Sequence, residues 1–117
     1  MNTKHKITLV VEKGAPYLPG DAITLEEGQY LLGRSSGTNR PDMAFADMRI
    51  SRKHALLVVR PQGLVISDLG SKHGTRVNLQ RLEPHRPYPL LHGDSIDLAS
   101  GLVRLSLSCP RPEARSV

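Results

Sequence analysis

The chain has 117 residues, 38% of them hydrophobic, which is enough for one domain with a packed core and too few for two. Its 16 Lys and Arg against 11 Asp and Glu give a net charge of +5, a field that favours anionic partners without choosing between phosphate groups, acidic peptides, nucleic acid and anionic lipid. With no Trp, one Phe and three Tyr there is little base-stacking surface, and the basic residues are scattered rather than run together, so nucleic acid is not an expected partner.

The first apolar stretch, Ile7–Val11, is too short for a signal-peptide core, and nothing approaches the roughly 20 apolar residues of a membrane span. A lone Cys109 cannot form an internal disulfide and favours a reducing compartment. The expectation is a soluble, cytoplasmic protein (nuclear if eukaryotic) that does not engage membranes.

Ile7–Val11 reads as the first strand. Ala22–Leu25 follows a Pro19-Gly20-Asp21 turn, and Tyr30–Leu32 follows Gly28. Met43–Phe45 comes next, then the longest run, His54–Arg60, which Pro61-Gln62-Gly63 turns into Leu64–Asp68. Thr75–Val77, Arg81-Leu82, Tyr88–Leu90, Ser95–Leu98 and Val103–Leu107 complete the set. About eleven short strands separated by turn residues predict an all-β sandwich in two sheets. No window carries helical spacing with caps. The predicted domain covers 1–109, with its central motif in 30–107. Residues 110–117, Pro-Arg-Pro-Glu-Ala-Arg-Ser-Val, have no apolar period and read as a tail or linker.

Three predicted loops, Ser35–Asp42, Ala46–Arg52 and Leu69–Gly74, hold a surplus of Arg, Lys, Ser and His. A protein-borne phosphate, one of the anions that this charge favours, carries about −1.5 to −2 charges and three strong acceptor oxygens. Arg34 offers a planar fork for phosphate oxygens, Ser51 a hydroxyl donor, and Arg52 and Lys72 further cations.

The order Gly33-Arg34, Ser51-Arg52-Lys53-His54, Asp68-Leu69-Gly70-Ser71-Lys72-His73-Gly74-Thr75, Asn78 and His92-Gly93-Asp94 resembles the forkhead-associated (FHA) domains. Each piece is weak alone; their order and spacing are specific. The resemblance implies a non-catalytic phosphothreonine-binding module with binding loops at one end of the sandwich. It implies a phosphopeptide site of Arg34, Ser51, Arg52, Ser71, Lys72 and His73, supported by Gly33, His54, Gly74 and Thr75. The implied partner is a protein phosphorylated by a Ser/Thr kinase. His73 stands where the family usually has Asn, and both peptide contact and loop support are open to it. Asn78-Leu79 stands where the family usually has Asn-Gly.

Other readings fit less well. Ser51, His54 and Asp68 suggest a hydrolase triad, but there is no Gly-x-Ser-x-Gly elbow. The five histidines show no paired-ligand spacing, and no phosphate-cradling glycine motif exists, so neither metal nor cofactor is expected. A phosphorylation-independent scaffold or self-association domain of the same fold is the alternative function.

Overall fold

A computed structural model describes residues 6–110. The β-branched and alternating runs become strands: β1 (Ile7–Lys13), β2 (Ala22–Leu25), β3 (Gly28–Arg34), β4 (Met43–Phe45), β5 (Ala55–Arg60), β6 (Gly63–Asp68), β7 (Thr75–Val77), β8 (Gln80–Arg81), β9 (Tyr88–Leu90), β10 (Ser95–Leu98) and β11 (Val103–Ser108). They form a six-stranded sheet, β2-β1-β11-β10-β7-β8, and a five-stranded sheet, β4-β3-β5-β6-β9. Every pairing is antiparallel except β3 with β4, where Leu32, Gly33 and Arg34 lie beside Met43, Ala44 and Phe45.

Successive side chains of a strand point to opposite faces, so alternation decides what is buried. In β5, Ala55, Leu57 and Val59 turn inward; in β11, Val103, Leu105 and Leu107 do the same from the other sheet. Leu9 and Val11 of β1, Leu32 of β3, Ile66 of β6 and Ile96 and Leu98 of β10 complete a single apolar layer between the sheets. The antiparallel sheets leave their outer faces to solvent, which is why the alternation is so legible.

The registers define two poles. Arg34 at the end of β3, Ala55 at the start of β5 and Asp68 at the end of β6 lie at one pole, since Leu32 faces Ala55 and Ala55 faces Asp68. At the other pole β1 begins and β11 ends side by side, with Thr8 facing Ser108.

Two local differences from the sequence expectation have clear causes. β8 is Gln80–Arg81 rather than Arg81-Leu82, because Leu82 turns into the core and gives its N–H to the Thr75 carbonyl at 2.9 Å. His54 stops short of β5 because its ring is used to join loops. The Asn78-Leu79 turn is retained without its glycine: φ is 50° at Asn78 and 70° at Leu79, the double left-handed conformation of a tight two-residue hairpin. The expected tail, 110–117, lies outside the described residues from position 111 onward.

Candidate functional site

Three connections meet at the β3-end pole: 35–42, 46–54 and 69–74. The chain is tied there by its own backbone. The Arg34 N–H donates to the Ser51 carbonyl at 3.1 Å, the His54 N–H to the Leu32 carbonyl at 3.0 Å, and the Leu69 N–H to the His54 carbonyl at 2.9 Å. Gly33 permits this closeness. A Cβ there would sit 2.0 Å from the Arg52 carbonyl oxygen, so no other residue fits without displacing the segment that carries Ser51 and Arg52. Asn39 bridges from the first loop, its Nδ2 donating to the Arg34 carbonyl at 3.0 Å and the Arg52 carbonyl at 2.9 Å.

Arg34 is half-buried, and its Nε–H donates to the Ile50 carbonyl at 2.9 Å. This fixes the guanidinium through a neutral partner and leaves both Nη groups for a ligand. Among the described residues, the ion pairs are Arg49–Asp47, Arg76–Asp97, Arg86–Glu83 and Arg104–Asp97; Arg34, Arg52 and Lys72 are in none of them. The Ser51 Oγ accepts the Lys72 backbone N–H at 3.0 Å, and its own hydroxyl proton is not given to a protein acceptor. Ser51 therefore joins the second and third loops and retains a donor. Arg52, Lys72 and His73 are exposed at the loop tips.

Beneath these groups lies a polar support. His54 is fully buried. Its Nδ1 accepts the Ser51 N–H at 3.1 Å and its Nε2 lies 2.8 Å from the Gly74 carbonyl. Those neighbours require a neutral ring with the proton on Nε2. Burial lowers its pKa below 6.5, against the opposing pull of the Gly74 carbonyl and Asp68.

Asp68 organises the third loop. Its Oδ1 accepts the Ser71 hydroxyl at 2.6 Å and the Thr75 hydroxyl at 2.7 Å; its Oδ2 accepts the N–H groups of Gly70 at 2.9 Å and Ser71 at 3.1 Å. Burial pushes this carboxyl up, but the four donors outweigh it and hold the pKa below 3.8. The Ser71 Oγ in turn accepts the Gly74 N–H at 2.9 Å, so this hydroxyl serves the loop interior. Gly74 has φ +86°, and a Cβ there would also meet the Arg81 guanidinium at 2.8 Å.

Thus Arg34, Ser51, Arg52 and Lys72 are brought to one pole, His73 stands exposed beside them, and Ser71, His54, Gly74, Thr75 and Gly33 lie in the framework below. Two organisers were not singled out from the sequence. Asp68 enters the sequence reading only as part of the motif and of the rejected hydrolase triad, although its spacing to Ser71 is that of a side chain closing its own loop. Asn39 sits in a polar loop with no pattern to mark it. Arg49 adds no uncommitted cation, since its guanidinium grips both oxygens of Asp47 at 3.0 and 2.9 Å. The Arg49 hydrogen bonds hold the Asp47 carboxyl at about 2. Among the described residues no cluster of His, Cys, Asp and Glu could hold a metal, and no helix is long and apolar enough to cross a membrane.

The family model for the FHA domain matches residues 30–99. A protein phosphatase 1 regulatory inhibitor subunit PPP1R8 homolog of Arabidopsis thaliana is 35% identical over 81 residues, covering 68% of this chain and 21% of that relative. This chain thus matches about a fifth of that protein's length. Among solved structures, the FHA domain of an Arabidopsis thaliana hypothetical protein superposes with TM-score 0.79 at 26% identity, covering 99% of this chain and 98% of the other. The FHA domain of the CT664 protein from Chlamydia trachomatis gives 0.75 at 28% identity, covering 91% and 99%. An FHA domain solved in work on phosphothreonine-dependent FHA interactions gives 0.72 at 27% identity, covering 92% and 99%.

Proposed function

The chain belongs to the FHA domain family, whose members are non-catalytic interaction modules that generally bind phosphothreonine peptides, and on that premise we propose that this one reads phosphothreonine in a partner protein. The observation that carries the reading is the setting of Arg34. Its guanidinium is fixed by the Ile50 carbonyl and has no carboxylate partner among the described residues, and its backbone N–H is bonded to the carbonyl of Ser51, whose hydroxyl proton is uncommitted.

In this mechanism the phosphate takes charge-assisted hydrogen bonds from the Arg34 Nη groups and a hydrogen bond from the Ser51 hydroxyl. Arg52 and Lys72 add attraction from the exposed rim. Such charge-assisted bonds contribute about 1.5–3 kcal/mol each. Two or three, less the cost of ordering a peptide, suffice for micromolar binding of about −8 kcal/mol. The three loops need little rearrangement because they are already joined, through the Asn39 amide, the Ser51 hydroxyl and the Leu69 N–H on the His54 carbonyl. In this reading the partner is the product of a Ser/Thr kinase, and the module works in the cytoplasm, or in the nucleus of a eukaryote.

The test is retention of degenerate peptide libraries carrying phosphothreonine, phosphoserine or unmodified threonine. Selective retention of phosphothreonine is expected. Equal retention of all three, or of none, overturns the reading and directs attention to the sheet faces and self-association.

A further inference from the structure

The two sheets differ on their outer faces. An antiparallel sheet with one wet face alternates apolar and polar residues, and the six-stranded sheet does so. Thr8, Ser95, Asp97, Arg104 and Ser106 point outward there, with Val10 as an apolar exception. The five-stranded sheet does not follow the rule. Ala55–Val59 is apolar at every position, and with Ala55, Leu57 and Val59 turned inward, Leu56 and Val58 face outward. Leu31 lies beside Leu56 and Val65 beside Val58, so four large aliphatic side chains make one outer patch, which Pro89 extends onto the edge strand β9. A strand apolar on both faces has the pattern of one covered on both sides, and such a patch marks a contact surface. We infer that this face is an interface between two copies of the chain, packed sheet on sheet about a twofold axis. The inference goes beyond the function proposed above and does not depend on it, since the patch is not part of the loop pole.

Charge identifies the occupant. At the end of the patch remote from the loop pole, an open groove of about 360 Å³ is lined by Glu27, Gly28, Gln29, Val58, Val59 and Arg60. Gly28 faces Val59 in register, so Glu27 and Arg60 stand at the same end of adjacent strands. Both are exposed, and neither is in an ion pair among the described residues. A face that carries one anion and one cation side by side is complementary to itself. Rotation about an axis running along the strands brings Glu27 of each copy against Arg60 of the other. A uniformly cationic or anionic partner would meet like charge at one of the two.

Shape and area agree with a second copy. Two twisted sheets pack about 10 Å apart through aliphatic side chains of this size. Pro89 gives β9 no N–H for a ladder, which favours contact through the face over pairing at that edge. β5 and β6 are each six residues long. A sheet of such strands, five across, has a footprint of about 500 Å², at the small end of specific interfaces. The dimer is therefore concentration-dependent, with a dissociation constant on the order of 10–100 µM. Because the axis runs along the strands, both loop poles face the same way, and the pair binds two sites of one partner at once.

The test is sedimentation velocity on the wild-type domain between about 5 and 500 µM, where the mass should rise from monomer to dimer. Glu27→Arg and Arg60→Glu, both at exposed positions, should each weaken dimerisation about tenfold, because each like-charge contact occurs twice in a twofold interface. An equimolar mixture of the two variants should dimerise more tightly than either alone. One copy then offers two cations and the other two carboxylates, a rescue that a pair closed within one chain cannot give. Val58→Lys should abolish the dimer; a urea melt checks that it folds, and the two charge variants decide the matter if it does not. A wild-type domain that is monomeric at about 500 µM overturns the inference and leaves the face to a different protein. A dimer unchanged by the charge variants and their mixture also overturns it. So does a dimer dispersed by Arg34→Ala, which places assembly at the loop pole.

Discussion

Among the described residues two carboxylates are buried, and the fold satisfies them in opposite ways. Asp68, at the loop pole, is surrounded by neutral donors: two backbone N–H groups and the hydroxyls of Ser71 and Thr75. Asp97, on the face of the six-stranded sheet, is gripped by guanidinium groups. Arg104 donates to both its oxygens at 2.8 and 3.1 Å, and Arg76 approaches at 3.3 Å from the next strand. Registry explains the second arrangement, since Asp97 lies directly between Arg76 and Arg104. The contrast shows how a cationic site survives beside a buried anion. Because dipoles satisfy Asp68, it draws on no cation, and Arg34, Arg52 and Lys72 stand in no ion pair among the described residues.

The sharpest way to break this comparison is to remove one arginine from each setting. Arg34→Ala should weaken phosphothreonine-peptide binding at least about 100-fold, the loss of two charge-assisted bonds, with less than about 1 kcal/mol of stability lost. Arg104→Ala should leave peptide affinity unchanged and show only in denaturant unfolding. Peptide titration and urea melts of both variants check the pair; an Arg104→Ala domain that binds as poorly as Arg34→Ala would erase the distinction.

Removing the neutral-donor carboxylate comes next. Asp68→Ala strands two N–H groups and the buried Thr75 hydroxyl, and should cost about 3 kcal/mol. Hydrogen exchange should show the Gly70 and Ser71 amides losing protection in this variant before the core strands do.

A smaller effect follows from His54. Its folded pKa is lowered, so below pH 6.5 the unfolded chain binds the extra proton first, and stability falls as pH falls. Thermal melts between about pH 7.5 and pH 5 should show this decline in the wild type, shallower in His54→Gln, whose amide can bridge Ser51 and Gly74 without titrating. A wild-type slope matched by the variant would assign the decline to other groups. Asp68 adds its own loss only below 3.8.

The smallest change lies far from both carboxylates. Leu79 is 67% exposed and held at φ 70°, where a side chain costs about 1 kcal/mol; Leu79→Gly should return roughly that amount in urea unfolding, with no change in binding.

The strands were legible because each buries one face, and alternation survives in sequences such as Val103–Ser108. Their order was not. Nothing local in β1 says that it pairs with β11, almost a whole chain away, or that β3 alone pairs in parallel with β4. At the pole, the meeting of Arg34 and Ser51 was legible because the motif spacing is specific. Asp68's role was harder to see. An acidic residue in a loop rich in cations looks like an ion-pair partner until its four neutral donors are known. Asn39 was invisible because it acts through carbonyl groups, which every residue has. Gly33 carries no left-handed turn; its necessity comes from the Arg52 carbonyl, a neighbour that only the folded chain brings near.

The side-by-side placement of the first and last strands also sets how the domain meets mechanical load. Tension applied through the two chain ends acts at one pole, where Thr8 faces Ser108, and pulls β1 from β11 like a zipper, one pair of hydrogen bonds after another. Strands loaded in that direction yield at lower force than strands sheared lengthwise, where all the bonds resist together. A phosphopeptide pulling on the opposite pole loads the loops and not that seam, so the module should release its ligand or unravel depending on which end the force enters.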